Sequence, residues 1–335
     1  MIRIINDIKK LEKKQYEGAN VFFQPGYASF VKSIGKEIMY CYSDTFIIPV
    51  VITRKLFFKY GQLMSEPFKF KGAGNEDPKV YLNEVLLYFK AEQKLQWFLP
   101  TPASAFFECS PENTIKIPFG SHVIDLLLDE DVLWKNVHTK HRNVIKKAEK
   151  DGVRIECGRS QELLEDFNSI DIETWSRSNK SASGLAFYKA MIDNMQENAI
   201  IYMAYLNDKP QSGAIFFYNK QMCYYMYGAN KNNPHTGSGN LLQWKAILNM
   251  KERGVKRFSF VGCRIKEDEG SKYHGIQRFK ERFGGELVQG YMFKIVFNKW
   301  LYLLFDIMVG LKTFIQSGHF KMINDIIDQE YHKWK

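Results

Sequence analysis

In the stretch Tyr273 to Glu286, YHGIQRFKERFGGE, three cations (Arg278, Lys280, Arg282) are interleaved with Ile276, Phe279 and Phe283. The three apolar residues share one side of a short helix, and Gly284 and Gly285 end it. Anchored by that side, the helix would hold its positive side chains at a fixed height beside a cleft, where they could meet a phosphate or a developing oxyanion. A surface helix with local ion pairs is the competing reading, and it makes Lys280 an exposed lysine of little weight in folding. A second place is GSGN, Gly237 to Asn240, which opens a helix straight after a strand. Free backbone N–H groups with no Cβ in the way make Gly237, Gly239 and Asn240 a phosphate or anion seat; a tight strand-to-helix turn would need the same glycines. The helix 135–150 carries Lys135, Lys140, Arg142, Lys146, Lys147 and Lys150 opposite an apolar stripe, either a solvated face or a contact for phosphate, with Arg142 the residue singled out. His141 falls on the apolar stripe and reads as a satisfied core histidine. In YYMYGAN, alternation puts Tyr225 and Tyr227 on one face and Tyr224 on the other; most such phenols belong to the core or the strand surface, and Tyr225 and Tyr227 are the candidates to reach a substrate.

These residues need a scaffold of strands and helices. EIMYCY, TFIIPVVIT and KLFFKYG predict three strands, PKVYLNEVLLYFKAEQ a helix begun by Pro78, and LQWFLP a further strand, so a mixed α/β unit ends near residue 125. DVLWKNVHTKHRNVIKKAEKDGV predicts one helix stopped by Gly152, and helices follow around Leu163–Trp175 and Ala186–Met195. AIIYMAYL, QSGAIFFYN and QMCYYMYGAN predict an antiparallel meander turning at NDKP and at Asn219-Lys220. The glycine-led helix, the strand RFSFVG, the cationic helix and the strand ELVQGYMFKIVF complete the order. Meander, helix, strand occurs in both halves, but only the second has a GxG loop.

A chain of 335 residues exceeds what one core usually serves. Forty-seven Lys+Arg against 37 Asp+Glu give +10, which favours anionic partners such as phosphates, nucleic acid or an acidic membrane face. Five scattered cysteines without a CxxC pair fit buried thiols in a reducing compartment, and no HExxH suggests a metal. The charged start lacks a signal peptide's apolar core, and WLYLLFDIMVGLKTFI falls short of the ~20 apolar residues a span needs. A cytoplasmic protein is expected, with peripheral contact at the inner face of the membrane left open.

HTKHRNVIKKAEKDGV, ETWSRS before FYKAMI, the YGA strand, GxGN-LLQWKAI and GIQRFKERFGGE, taken in this order, resemble the FemABX peptidoglycan-bridge aminoacyltransferases of the GNAT-fold superfamily. FFQPGYASFVK is similar to that family's amino-terminal Q…W…K segment, with Phe30 where tryptophan is usual. The resemblance implies an α/β (α+β) chain of two tandem GNAT-like domains, 1–125 and 126–335, with mixed, largely antiparallel sheets flanked by helices. It implies aminoacyl transfer from charged tRNA to an amine of a phosphate-bearing cell-wall precursor, with no cofactor or metal, by a monomer or weak dimer. By it, Lys32 and Arg177 hold acceptor phosphates, and Lys280 matches a lysine tied to the reacting carbonyl. The coiled-coil hairpin of some members is absent. Pro234 stands where acyl-CoA-using GNAT enzymes carry Gln or Arg, which weakens CoA as donor. No Ser-His-Asp, Cys-His or paired-carboxylate pattern stands out, which favours direct aminolysis without a covalent enzyme intermediate.

Overall fold

Alternating apolar residues and short turns in the first sixty positions build an antiparallel meander, as the sequence predicts. A computed structural model describes residues 2–177, 180–266, 270–317, 320 and 322–334, excepting the side chains of 272, 316 and 317. After β1 (Arg3–Ile5), α1 (Lys13–Tyr16) and α2 (Pro25–Ser33), the meander is β2 (Glu37–Tyr42), β3 (Phe46–Lys55) and β4 (Phe58–Leu63). The two-residue β5 (Phe68–Lys69) pairs with β3. The helix α3 (Pro78–Ala91) starts at Asp77, whose carboxylate accepts from Lys79 N, and buries Tyr81, Leu82, Val85, Leu86 and Phe89. It returns the chain to β6 (Trp97–Phe98), which lies parallel to β4.

One strand has no signal in the alternation. β7 (Ile115–Asp125) contains Pro118 and Gly120, residues that normally argue against a central strand, yet it pairs with three others. Gly120 is needed for that pairing, since a Cβ there would sit 2.4 Å from the Val288 carbonyl oxygen. The single helix expected over 131–153 is two, α4 (Glu130–Asn136) and α5 (Thr139–Lys150). The chain extends at Val137 and His138, and His138 Nδ1 caps the second helix by accepting from Lys140 N. Gly152, at φ +85°, ends α5 as expected.

β8 (Arg154–Gly158), α6 (Gln161–Ser176) and α7 (Leu185–Met195) lead to the second meander: β9 (Ala199–Leu206), β10 (Lys209–Tyr218) and β11 (Cys223–Asn230). α8 (Ser238–Glu252) then carries the chain to β12 (Arg257–Ser259), parallel to β11. β13 (Cys263–Arg264), α9 (Lys272–Glu281), β14 (Glu286–Val296), α10 (Lys299–Ser317) and α11 (Ile326–Glu330) complete the chain.

Among the described residues the strands form one mostly antiparallel sheet, ordered β1-β2-β3-β4-β6-β14-β7-β12-β11-β10-β9-β8. The parallel pairs are β4/β6 and β11/β12, each joined through a helix, so the meander–helix–strand order read in both halves is present in space. β14 links the halves, pairing with β7 over most of its length and with β6 at Ile295 and Val296. On β9, Ile201, Met203 and Tyr205 face a core under α2, α6 and α7, while Ile200, Tyr202 and Ala204 face a second core under α5 and α8.

Candidate functional site

The candidate site is built where β11 and β12 part. Their parallel pairing is confined to Cys223–Phe258 and Tyr224–Ser259. Past that point β12 turns aside through Val261 at φ +35° and Gly262 at φ +63°. A β-branched residue in that region is strained and persists only if its surroundings hold it there. Lys280 does the holding: its ammonium donates to Val261 O and, at 2.8 Å, to Gly262 O. The stem of Lys280 is half-buried, but its charged end is turned into the protein, not to bulk water as an ordinary surface lysine would be. Burial pushes the Lys280 ammonium down to about 8.

The helix carrying Lys280 is fixed by Phe279 and Phe283. Phe283 stacks on Phe260 with ring centres 5.1 Å apart, and both phenylalanines pack on His141 of α5. Ile276, expected to be the third anchor, is 42% exposed. It sits too near the helix start to reach the core that Phe283 enters. The core reading of His141 holds: Nε2 lies 3.1 Å from Phe279 O, and burial holds its imidazole down to about 4. Gly284, at φ +81°, lets the chain turn beneath α4, where a Cβ would lie 2.6 Å from Asn136 O. Beside Lys280 the fold gathers a cluster that sequence spacing conceals. Gln277 donates to Arg264 O at 2.5 Å and to Cys263 Sγ at 3.2 Å, and the buried Cys263 thiol lies 3.8 Å from His122 Nε2.

At the far end of β11, α8 begins on Gly237 with no side-chain cap. Ser238 N donates to His235 O at 3.1 Å, so it is the N–H groups of Gly239 and Asn240 and the positive end of the helix dipole that are left for another acceptor. Gly237 is there for packing, because at φ +88° its Cβ would lie 2.3 Å from Val144 O of α5. Gly239 is different: the nearest atoms to its Cβ would be Ser212 Oγ at 3.6 Å and Asn230 Oδ1 at 3.7 Å, an ordinary fit. Asn240 is half-buried, and between the glycines the fully buried Ser238 Oγ has no hydrogen-bond partner among the described residues. Ser238 carried no signal in the sequence beyond its neighbours.

Tyr225 and Tyr227 do not share a face. A bulge in β11 opposite Ile215 and Phe216 inserts one residue, so strict alternation fails between them. Tyr224 and Tyr227 point to the α2/α6/α7 side, and Tyr227 packs on Tyr188 at 5.6 Å and Phe187 at 6.2 Å. Tyr225 turns to the α8 side against Phe216. Burial pushes both phenols up to about 12.

The arginines are engaged with the backbone. Arg142 donates to Trp134 O, Lys135 O and Val137 O, closing the end of α4. Arg177 donates to Asn230 O, Lys231 O and Asn232 Oδ1, tying the end of α6 to the end of β11. Lys32 is exposed in the last turn of α2, which rests on α7 through Phe30 and Phe187 at 5.5 Å. The Phe187 ring meets Tyr227, so Lys32 stands on the helix roofing that tyrosine's side. Of the cysteines, Cys41, Cys223 and Cys263 are buried as expected and Cys109 partly so, but Cys157 is exposed at the edge strand β8. A carboxyl without a sequence signal, Glu66, accepts from Phe106 N at 3.2 Å in the seam between the halves, where burial raises it.

Residues 135–281, from α4 through α9, match the family described as Acetyltransferase (GNAT) domain. The aminoacyltransferase FemA of Staphylococcus aureus is 23% identical over 174 residues, which are 52% of this chain and 36% of FemA. The chain thus matches about a third of that relative's length. A crystal structure of FemX superposes with a TM-score of 0.63 at 15% identity, over 83% of this chain and 92% of that one. L-PGS from Bacillus licheniformis gives a TM-score of 0.53 at 14% identity, over 89% and 95%. Residues 135–281 thus carry a match to a GNAT acyltransferase domain, and the chain has distant similarity to FemA and the fold of FemX.

Proposed function

We propose that the chain moves an aminoacyl group from charged tRNA to an amine of a peptidoglycan precursor, lipid-linked or UDP-linked, by direct aminolysis. In this reading it is a tandem pair of GNAT-like domains, 1–125 and 126–335, acting at the cytoplasmic face of the membrane. The observation that carries the reading is the inward ammonium of Lys280 at the parting of β11 and β12. Two of its three N–H donors hold the Val261 and Gly262 carbonyls, and the third is left to meet the oxyanion formed when an amine attacks the ester. Such a preorganised donor is worth about 3–4 kcal/mol of barrier, and alignment of amine and ester a further 7–11 kcal/mol or so. The N–H groups of Gly239 and Asn240 would receive a donor phosphate at the start of α8, with the buried Ser238 hydroxyl beneath them. Tyr227 would line the substrate space on the α2/α6/α7 side, Tyr225 would back the strand from the α8 side, and Lys32 would meet an acceptor phosphate. Arg142 and Arg177 would act through the backbone they brace.

The match to an acetyltransferase (GNAT) domain favours a second reading, N-acylation of an amino sugar or glycan precursor from an acyl-CoA or carrier thioester. The purified chain, given labelled aminoacyl-tRNA or labelled acyl-CoA with lipid II or a UDP-linked precursor, separates the two. Label reaching the precursor from tRNA supports the first. Transfer from the thioester alone overturns it.

A further inference from the structure

The outer side of α10 is covered by nothing in the described structure. Its inner side packs through Tyr302 and Phe305 on Trp97, at 5.4 and 5.1 Å between ring centres. Asp306 is also turned inward, where it accepts from Ile323 N. The opposite side presents Trp300, Leu304, Ile307, Leu311, Phe314 and Ile315 at i, i+4, i+7 spacing. Every one is exposed, Trp300 and Ile315 by 82% and 84%. This stripe runs for roughly 22 Å along the helix. The tip of the β3–β4 hairpin adds a second exposed apolar pair beside the helix: Leu56 and Phe57 are exposed, and Phe57 reaches the inner side of α10 through Phe58 and Phe305, with ring contacts of 4.3 and 5.0 Å.

Charge selects the occupant. At about 100° per residue, Lys299 and Lys312 fall on the two flanks of the stripe, and Lys55 and Lys94 stand exposed about the hairpin tip. Among the described residues, the acid of α10 is the buried Asp306, Asp325 and Asp328 near Tyr302 are taken up by Lys294, Glu37 is taken up by Arg54, and Glu92 is exposed near the hairpin tip. Two copies meeting on this face would bring its lysines together, while the carboxylates Glu37, Asp325 and Asp328 are already held by Arg54 and Lys294. A surface of anionic lipid supplies the missing charge and takes up the apolar side chains as well. No helix among the described residues is long and apolar enough to cross a membrane, so the helix would lie in the interface.

We propose that α10 and the β3–β4 tip form a docking surface for an anionic bilayer, with the stripe sunk among the acyl chains and the flanking lysines at the headgroups. This goes beyond the transfer reaction and holds for either donor.

The full chain is sedimented with vesicles of phosphatidylcholine and phosphatidylglycerol, and with vesicles of phosphatidylcholine alone. The expected result is binding to the anionic vesicles that weakens with salt and falls about tenfold or more in Leu304→Asp/Leu311→Asp. Lys299→Ala/Lys312→Ala should erase the preference for phosphatidylglycerol. Should the aspartates disturb folding, Leu56→Ser/Phe57→Ser at the hairpin tip gives the same reading. Wild-type protein left in the supernatant, or variants that sediment equally well, would overturn the proposal. So would a concentration-dependent dimer that does not bind vesicles and is abolished by the same substitutions. Failure here would leave tRNA-dependent transfer to a UDP-linked precursor intact.

Discussion

Lys280 combines two demands on one side chain: it keeps its charge out of bulk water and steadies the strained turn at Val261 and Gly262. If the cationic form is the working one, activity falls as pH rises through about 8, where burial has set its titration. Lys280→Ala should lower kcat by about 10²–10³-fold and abolish that alkaline limb. A variant with the same pH profile as the parent removes Lys280 from the chemistry. His141 makes the contrasting case, since it works for folding. Its folded pKa of about 4 lies below the ordinary 6.5, so over that interval the unfolded chain takes up a proton that the folded chain refuses. Stability is therefore greatest above the interval and is lost as pH falls through it, by on the order of 3 kcal/mol. His141→Gln keeps a donor for Phe279 O, and in urea titrations across that interval it should flatten the loss.

At the scale of elements, the two glycines at the head of α8 do different work. Gly237→Ala drives a Cβ into the α5 backbone at a left-handed φ and should cost at least about 1–3 kcal/mol, read as a lower Tm. Gly239→Ala meets only ordinary contacts on a helix and should leave the unfolding free energy unchanged or raise it by up to about 1 kcal/mol, read as an unchanged or higher Tm. Its methyl group would stand at the first-turn N–H groups, so KM for the donor should rise while folding is spared. An unchanged KM would take the donor away from α8. Arg142→Ala belongs at this scale too. Two α4 carbonyls and that of its C-cap Val137 lose their charged donor, and a loss of about 1–3 kcal/mol in unfolding free energy is expected.

Across the whole molecule, the halves share a core. Tyr40, Ile47 and Val51 of the first pack in one cluster with Phe167, Tyr188 and Tyr224 of the second, and α2 lies so close to α7 that a Cβ on Gly26 would sit 3.0 Å from Asn194 O. β14 spans the junction. Calorimetry should accordingly show one cooperative transition, and two well-separated ones would contradict the shared core.

The sequence determined what local rules control: the meanders, the NDKP turn, the helices at Pro78 and Gly237, and the cationic character of α9. It also carried the family resemblance, through motif order. What it could not decide were matters settled by partners distant in the chain. β7 is a strand because β14 and β12 supply its ladder, despite Pro118 and Gly120. Tyr225 and Tyr227 part because a bulge opposite β10 resets the period. Whether Arg142 and Lys280 face solvent or backbone depended on carbonyls that only the folded chain brings within reach. Periodicity reports which side of an element is apolar; tertiary contact alone decides where a long charged side chain finds its acceptors.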